Sequence, residues 1–467
     1  MPLDAVSTRM TPLTDPGSRS RPKIAVIGAG VAGLSAAWAL HDRFDITVFE
    51  QNAYVGGHTN TILVDAPEGP IPVDTGFIVF NEKNYPNLVA LLDRLGVATN
   101  PTRMHFSVSV RDRDMEYASH GVSGLFADLR NLTRPRFFSM IADILRFYAA
   151  APGLAHSDAE LSIGDFLRIK RYGQTFVRDH LLPMAAAIWS CPVQTMLDFP
   201  AKSLARFFVN HGLAELGTAC QWRSIDGGSN AYIEPLTRGF ADRIRLDTTV
   251  ASVRRLPAPR PGAAPVLVTT ADGAREVFDQ VILACHGPQA RALLVDAHAT
   301  ESAILSAFRT QSNRAVLHTD PALMPLRRRA WSSWNYLSLT SGEQDLSVTY
   351  WMNSLQRLAT TTNCFVTLNP AIEPAADSVI GEYDYEHPVF DAAALQAQRD
   401  IWSIQGRRGV WFCGAYLGYG FHEDGLQAGL AVAEAMSDWR RPWAFDARRE
   451  RLGRTRLDEP PLERTAA

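Results

Sequence analysis

Cysteine is scarce and scattered in this 467-residue sequence: Cys191, Cys220, Cys285, Cys364 and Cys413 lie far apart, with no CxxC pair. That spacing suits neither a zinc site nor a disulfide framework, and it points to a reducing compartment. Charge of one sign is lacking too. The 46 Lys and Arg against 49 Asp and Glu leave a formal net charge of -3, which gives no global field for nucleic acid. No 18-residue uncharged apolar run occurs, and the Ser-, Thr-, Pro- and Arg-rich residues 1–22 lack the apolar stretch of a secretory signal. HExxH and GxSxG are absent, which removes the familiar metallopeptidase and serine-hydrolase arrangements. What these absences leave is an expected cytoplasmic protein with a disordered lead over 1–22. Its 46% hydrophobic residues are enough for a large core and for interleaved domains.

What is present begins at "KIAVIGAGVAGLSAAWAL", residues 23–40. Ile24 to Ile27 read as a central parallel strand buried on both faces, and Gly28, Gly30 and Gly33 follow as GxGxxG around Ala29. The first glycine permits a tight turn, the second admits a pyrophosphate, and the third lets helix and strand touch. A second strand, Ile46 to Phe49, ends at Glu50, which is placed to meet a ribose hydroxyl. Strand, glycines, helix, strand and acid in that order specify a dinucleotide site far better than the glycines alone. Beyond Glu50, "QNAYVGGHTNT" supplies a second glycine pair, Gly56 and Gly57, then His58.

At this point the chain resembles the FAD-binding flavoprotein superfamily of amine oxidases, protoporphyrinogen oxidase and phytoene desaturase. Many members carry an arginine where His58 stands. The resemblance implies that "VDTGFIVFN" (73–81), with Asp74, Thr75 and Gly76 at its turn, passes beside the isoalloxazine. It further implies that Val250, within a strand over 244–256, meets the adenine through its backbone. Ala284 then closes a strand returning to the dinucleotide domain, and Gly414 precedes the last loop. A helix beginning near Gly425, with Asp424 and Leu426 beside it, points its N-terminus at the flavin. Relatives commonly have an acid after the glycine equivalent to Gly414, where this chain has Ala415.

The implied fold is α/β: a Rossmann-like FAD-binding domain of amine oxidase type with an interleaved α+β substrate domain. Residues 23–85, 225–300 and 400–440 would form the first, 86–224 and 301–399 the second, and 441–467 a solvated basic tail. "LPAPRPGAAP" (256–265) reads as a loop within a hairpin.

"GYGFHEDG" (418–425) sets His422 where amine oxidases place a tyrosine of their aromatic cage, with Glu423 beside it. These two are the candidate acid–base residues, and His422 serves equally well as a hydrogen-bonding residue that holds FAD. "RPRFFSMIADILRFYAAAPG" (134–153) reads either as a core-covering helix or as a membrane-surface helix, and "LLPMAAAIWSCP" (181–192) as helix packing or the lining of an acyl tunnel. The phrases "GGHTNT", "DTGFIVFNEKNYPNL", "PMAAAIWSCP", "WRSIDGGSNAY" and "GYGFHEDGL" resemble bacterial flavoproteins associated with cyclopropane-fatty-acid-synthase-like methyltransferases. That likeness implies desaturation of a methyl-branched unsaturated fatty acyl chain, such as a phospholipid, in furan fatty acid biosynthesis. It also implies peripheral contact with the inner membrane and a fatty acyl methyltransferase partner. Amine or polyene oxidation, or a non-catalytic FAD-bound partner of the methyltransferase, are the alternatives.

Overall fold

A computed structural model describes residues 21–157, 161–189, 195–213, 220–257, 264–340 and 347–453. Outside these lie residues 1–20 of the expected lead, Cys191, residues 258–263 of the Pro/Gly loop and the end of the tail.

The apolar run after Lys23 becomes the middle strand of a five-stranded parallel sheet, ordered Ile244–Arg245, Asp45–Phe49, Lys23–Ile27, Gln280–Leu283 and Val410–Phe412. Ile24, Ala25 and Val26 are wholly buried, as a strand covered on both faces requires. Helices Val31–Leu40 and His422–Met436 pack together against this sheet. A second core belongs to a seven-stranded mixed sheet, running from Val379–Val389 at one edge to Met115–Ala118 at the other. Its helical cover includes Pro135–Ala155, Leu182–Trp189 and Ala201–Asn210.

Two expectations change. The stretch 244–256 is not one strand: Ile244–Arg245 joins the parallel sheet, whereas Val250–Arg255 pairs antiparallel with Val266–Thr270. Asp247, at φ 49°, takes the left-handed conformation between them, which no continuous strand accommodates. Nor is the tail solvated throughout, because residues 441–453 pack onto the dinucleotide domain. Trp443 stacks on Trp38 at 6.0 Å and donates to Asn87 Oδ1, Arg441 pairs with Glu434, and Leu452 is fully buried. Apolar and aromatic residues spaced among the arginines supply the burial that the charge pattern concealed.

The two cores meet at Asp74. Its buried carboxylate accepts from Thr61 Oγ1, from the Ser229 N–H and hydroxyl, and from Gln356 Nε2, while its own N–H donates to Gln356 Oε1. Burial pushes its pKa up to about 6. Tyr385, from the edge strand of the larger sheet, adds a second link through Thr75 and Asn60.

Candidate active site

The glycine loop shows three separate requirements. Gly28 sits at φ 107° and its N–H donates to the Phe49 carbonyl. A Cβ on Gly33 would lie 1.9 Å from the Gly28 carbonyl oxygen, so strand and helix pack in direct contact there. At Gly30 a Cβ would meet nothing within 4 Å. That open side faces a cavity at the N-terminus of helix Val31–Leu40, the position a pyrophosphate needs.

The second glycine pair forms the opposite wall. Gly56 pairs with Gly30 and donates to the Ala29 carbonyl, and a Cβ on Gly57 would approach Gly30 Cα to 3.3 Å. Ala29 itself faces inward, and its N–H donates to Glu50 Oε2 at 2.8 Å. The other Glu50 oxygen accepts from the Asn52 backbone and side chain, which fixes the acid at the end of its strand.

A cavity of about 670 Å³ runs from Gly28, Gly30, Glu50 and Val250 past Gly56, Gly57, His58, Thr75, Gly76, Ala284, Gly414 and Gly425. Its far end is walled by Ala187, Ile188, Trp189, Phe207, Leu368 and Phe390. An elongated space with an open glycine at a helix N-terminus and an acid at a strand end fits FAD.

The helix expected near Gly425 starts three residues earlier, at His422. Its first turn contains the residues singled out from "FHEDGL", and they point in different directions. His422 lines the cavity. Its ring stacks on Phe77 at 3.9 Å, and Nε2 shares a hydrogen with the Tyr232 hydroxyl at 2.8 Å, which in turn contacts Thr59 Oγ1. Burial pulls its pKa down to about 3, so the ring is neutral at ordinary pH.

Glu423 turns away from the cavity. Its carboxylate accepts from the Asn87 N–H and side chain and from the Leu88 N–H, capping helix Pro86–Leu95. Burial pushes its pKa up to about 7 against the opposing pull of Arg451 and these bonds. Asp424 accepts from the Phe421 N–H and from Arg451, and Leu426 is fully buried in the core. Neither reaches the cavity wall, so Glu423 is in no position to act on a substrate, and Asp424 and Leu426 in none to touch a cofactor directly. The helical periodicity explains this: a first turn presents only one side to the pocket.

Sequence reading singled out His58 but overlooked the two imidazoles beside it. His58 lies 5.4 Å from His387 and 6.3 Å from His286, ring to ring, and all three line the cavity. Burial lowers each pKa, His387 to about 4, so the place of the relatives' arginine holds a neutral ring. Asn313 fixes His387 through Nδ1 at 2.9 Å. The signal was there as period-two alternation: Tyr383, Tyr385 and His387 share one face of strand Val379–Val389.

This fold and cavity define a flavin-dependent oxidoreductase with FAD as cofactor. The chain belongs to the flavin-containing amine oxidoreductase family, whose model matches residues 31–437. Three solved structures share the fold. A cofactor-binding double mutant of putrescine oxidase superposes with a TM-score of 0.64 at 15% identity, covering 89% of this chain and 99% of that one. A fatty acid isomerase from P. acnes that produces conjugated linoleic acid gives 0.61 at 16% identity, over 90% and 99%. Cyclohexylamine oxidase from Brevibacterium oxydans gives 0.62 at 15%, over 89% and 99%. Among curated proteins, an uncharacterised protein of Acanthamoeba polyphaga mimivirus is 41% identical over 71 residues, 15% of this chain and 14% of that protein's length.

Proposed function

We propose that this flavoprotein desaturates a methyl-branched, unsaturated fatty acyl chain, in the manner required for furan fatty acid formation. The observation that carries this reading is the far end of the cavity. Ala187, Ile188, Trp189, Phe207, Leu368 and Phe390 form an apolar wall with no carboxylate to hold an ammonium group. The acids among the described residues that line the cavity lie away from that wall: Glu50 is engaged with Ala29 and Asn52, Asp384 is solvent-exposed on the edge strand, and Glu386 stands on the same strand near His286. An ammonium group set against that apolar wall would be left unpaired, at a high desolvation cost. A fatty acid isomerase among the structures of the same fold is compatible with a lipid occupant.

When bound, FAD supplies the two-electron acceptor for the reaction. The substrate gives up two hydrogens, one with its electron pair and one as a proton, and a second double bond forms in conjugation with the first. Trp189 and Phe207 exclude water from the acyl chain. His422, whose neutral ring lines the cavity, is the group placed to receive the proton. The Tyr232 hydroxyl at Nε2 orients that ring and connects it to Thr59. A fatty acyl methyltransferase is the class of enzyme that supplies such a substrate.

The test is mass spectrometry of lipids after incubation of the FAD-loaded protein with a methyl-branched monounsaturated acyl phospholipid. Loss of two hydrogens with conjugated-diene absorbance is the expected result. His422→Ala should keep FAD and lose turnover by roughly 100-fold or more. Amine-dependent bleaching of the flavin with no diene would refute the reading in favour of an amine oxidase. Full diene formation by His422→Ala would remove His422 from the chemistry.

A further inference from the structure

The 21-residue helix Pro135–Ala155 is apolar on the side that faces out as well as the side that faces in. Its inner face, Phe137, Met140, Phe147, Ala151 and Leu154, packs into the second core. The outer face, spaced by three and four residues, is Phe138, Ile141, Ala142, Leu145, Ala149 and Pro152. Phe138 is 47% exposed and Leu145 45%, and no charged residue interrupts the row. An apolar helix face of this length in water calls for a cover.

The apolar surface continues beyond the helix. Leu129 and Leu132, in the turn leading into it, and Val122 in the preceding short helix are each more than half exposed. Ring contact between Phe126 and Phe138 at 6.3 Å joins these segments into one face. Basic side chains flank this face. Arg136 is exposed at the helix start, and Arg146 reaches across to the Lys170 carbonyl, next to exposed Lys170, Arg171 and Ile169. Asp143, the acid within the helix, is buried and bonded to Gly173 and Arg146.

We infer that this face docks the protein on an anionic lipid bilayer, with helix Pro135–Ala155 lying in the interface plane. The helix has the length and composition to cross a membrane, but its inner face is committed to Ala201–Asn210 and the second core, so it lies flat. Apolar side chains enter the acyl boundary while the flanking Arg and Lys meet lipid phosphates. Phe207, on the helix Ala201–Asn210 that packs beneath Pro135–Ala155, lines the cavity. The inference rests on the lipid-substrate reading and names the bilayer as the source of that substrate.

Flotation of the full-length, FAD-loaded protein with vesicles tests it without any turnover. We expect binding to phosphatidylcholine vesicles containing phosphatidylglycerol, weaker binding to phosphatidylcholine alone, and release at high salt. The double variant Phe138→Asp/Leu145→Asp should lower the bound fraction by about tenfold or more, because each aspartate would bring a charge into the acyl boundary. Arg136→Glu/Lys170→Glu should abolish the preference for anionic vesicles, while Ile380→Asp, on the edge strand of the larger sheet, should bind as the natural protein does. Flavin absorbance per chain must be unchanged in all of them. Equal binding by the natural protein and the double variant, with FAD retained, overturns the inference. So does a natural protein that ignores vesicles but forms dimers that the double variant dissolves, because the face would then be an interface between copies. A bound protein that forms no diene would count against the substrate reading alone.

Discussion

At the level of single residues, neighbouring glycines should respond in opposite ways to the same methyl group. Gly33→Ala forces a Cβ to within 1.9 Å of a backbone oxygen, so we expect a loss of about 3 kcal/mol or more of stability, seen as poor folding in denaturant titration. Gly30→Ala meets no protein atom and should fold normally, yet it fills the space a pyrophosphate would occupy. Its FAD affinity, measured by fluorescence titration, should fall about tenfold or more. Glu423 allows a prediction of a different kind. Its folded pKa, near 7, lies above the ordinary 4.5, so the native state holds the proton more tightly than the unfolded chain. Its contribution to stability is complete below about 4.5 and is lost as pH rises through about 7. Thermal melts across that window should decline in the natural protein and flatten in Glu423→Gln.

Among the elements, the segment 441–453 was the least legible. Its arginines read as a solvated tail, but Arg451 is nearly buried, paired with Asp424, bonded to the Asn84 carbonyl and joined through its N–H to Gln427. Arg451→Ala would strand Asp424 as a buried acid without its ion-pair partner, so we expect a cost of about 3–5 kcal/mol in equilibrium unfolding. Arg451→Lys should recover only part of that, because one ammonium cannot reproduce two directed guanidinium bonds. By contrast, the glycine loop and its flanking strands were readable to within a residue. Their constraints are local, whereas the partners of Arg451 lie in a different part of the chain and leave no periodic trace. The same contrast separates His422 from Glu423: adjacency in sequence placed both in the site, and the helical turn sent one to the cavity and the other to a neighbouring helix.

For the whole molecule, the family and its cofactor followed from separated motifs whose order survives in the fold. The cavity walls did not, because a strand such as Val379–Val389 reaches the site only through its pairing with Arg309–His318. Both cores line that cavity and are tied together through Asp74 and Tyr385. FAD should therefore stabilise them as a unit. At free FAD a hundredfold above Kd, we expect about 2.7 kcal/mol of added stability and one calorimetric transition that moves as a whole. A domain that melts independently of FAD would contradict that coupling.

The cradle is assembled from distant parts of the chain: the helix that follows the glycine loop near residue 30 is covered by a helix starting at His422. A ribosome adding 5–20 residues per second needs roughly 20–80 s to pass from one to the other. For that interval the nascent glycine loop has no roof. Cofactor capture is thus deferred until synthesis is almost complete, and a chain truncated before the last helix has no means of retaining its flavin.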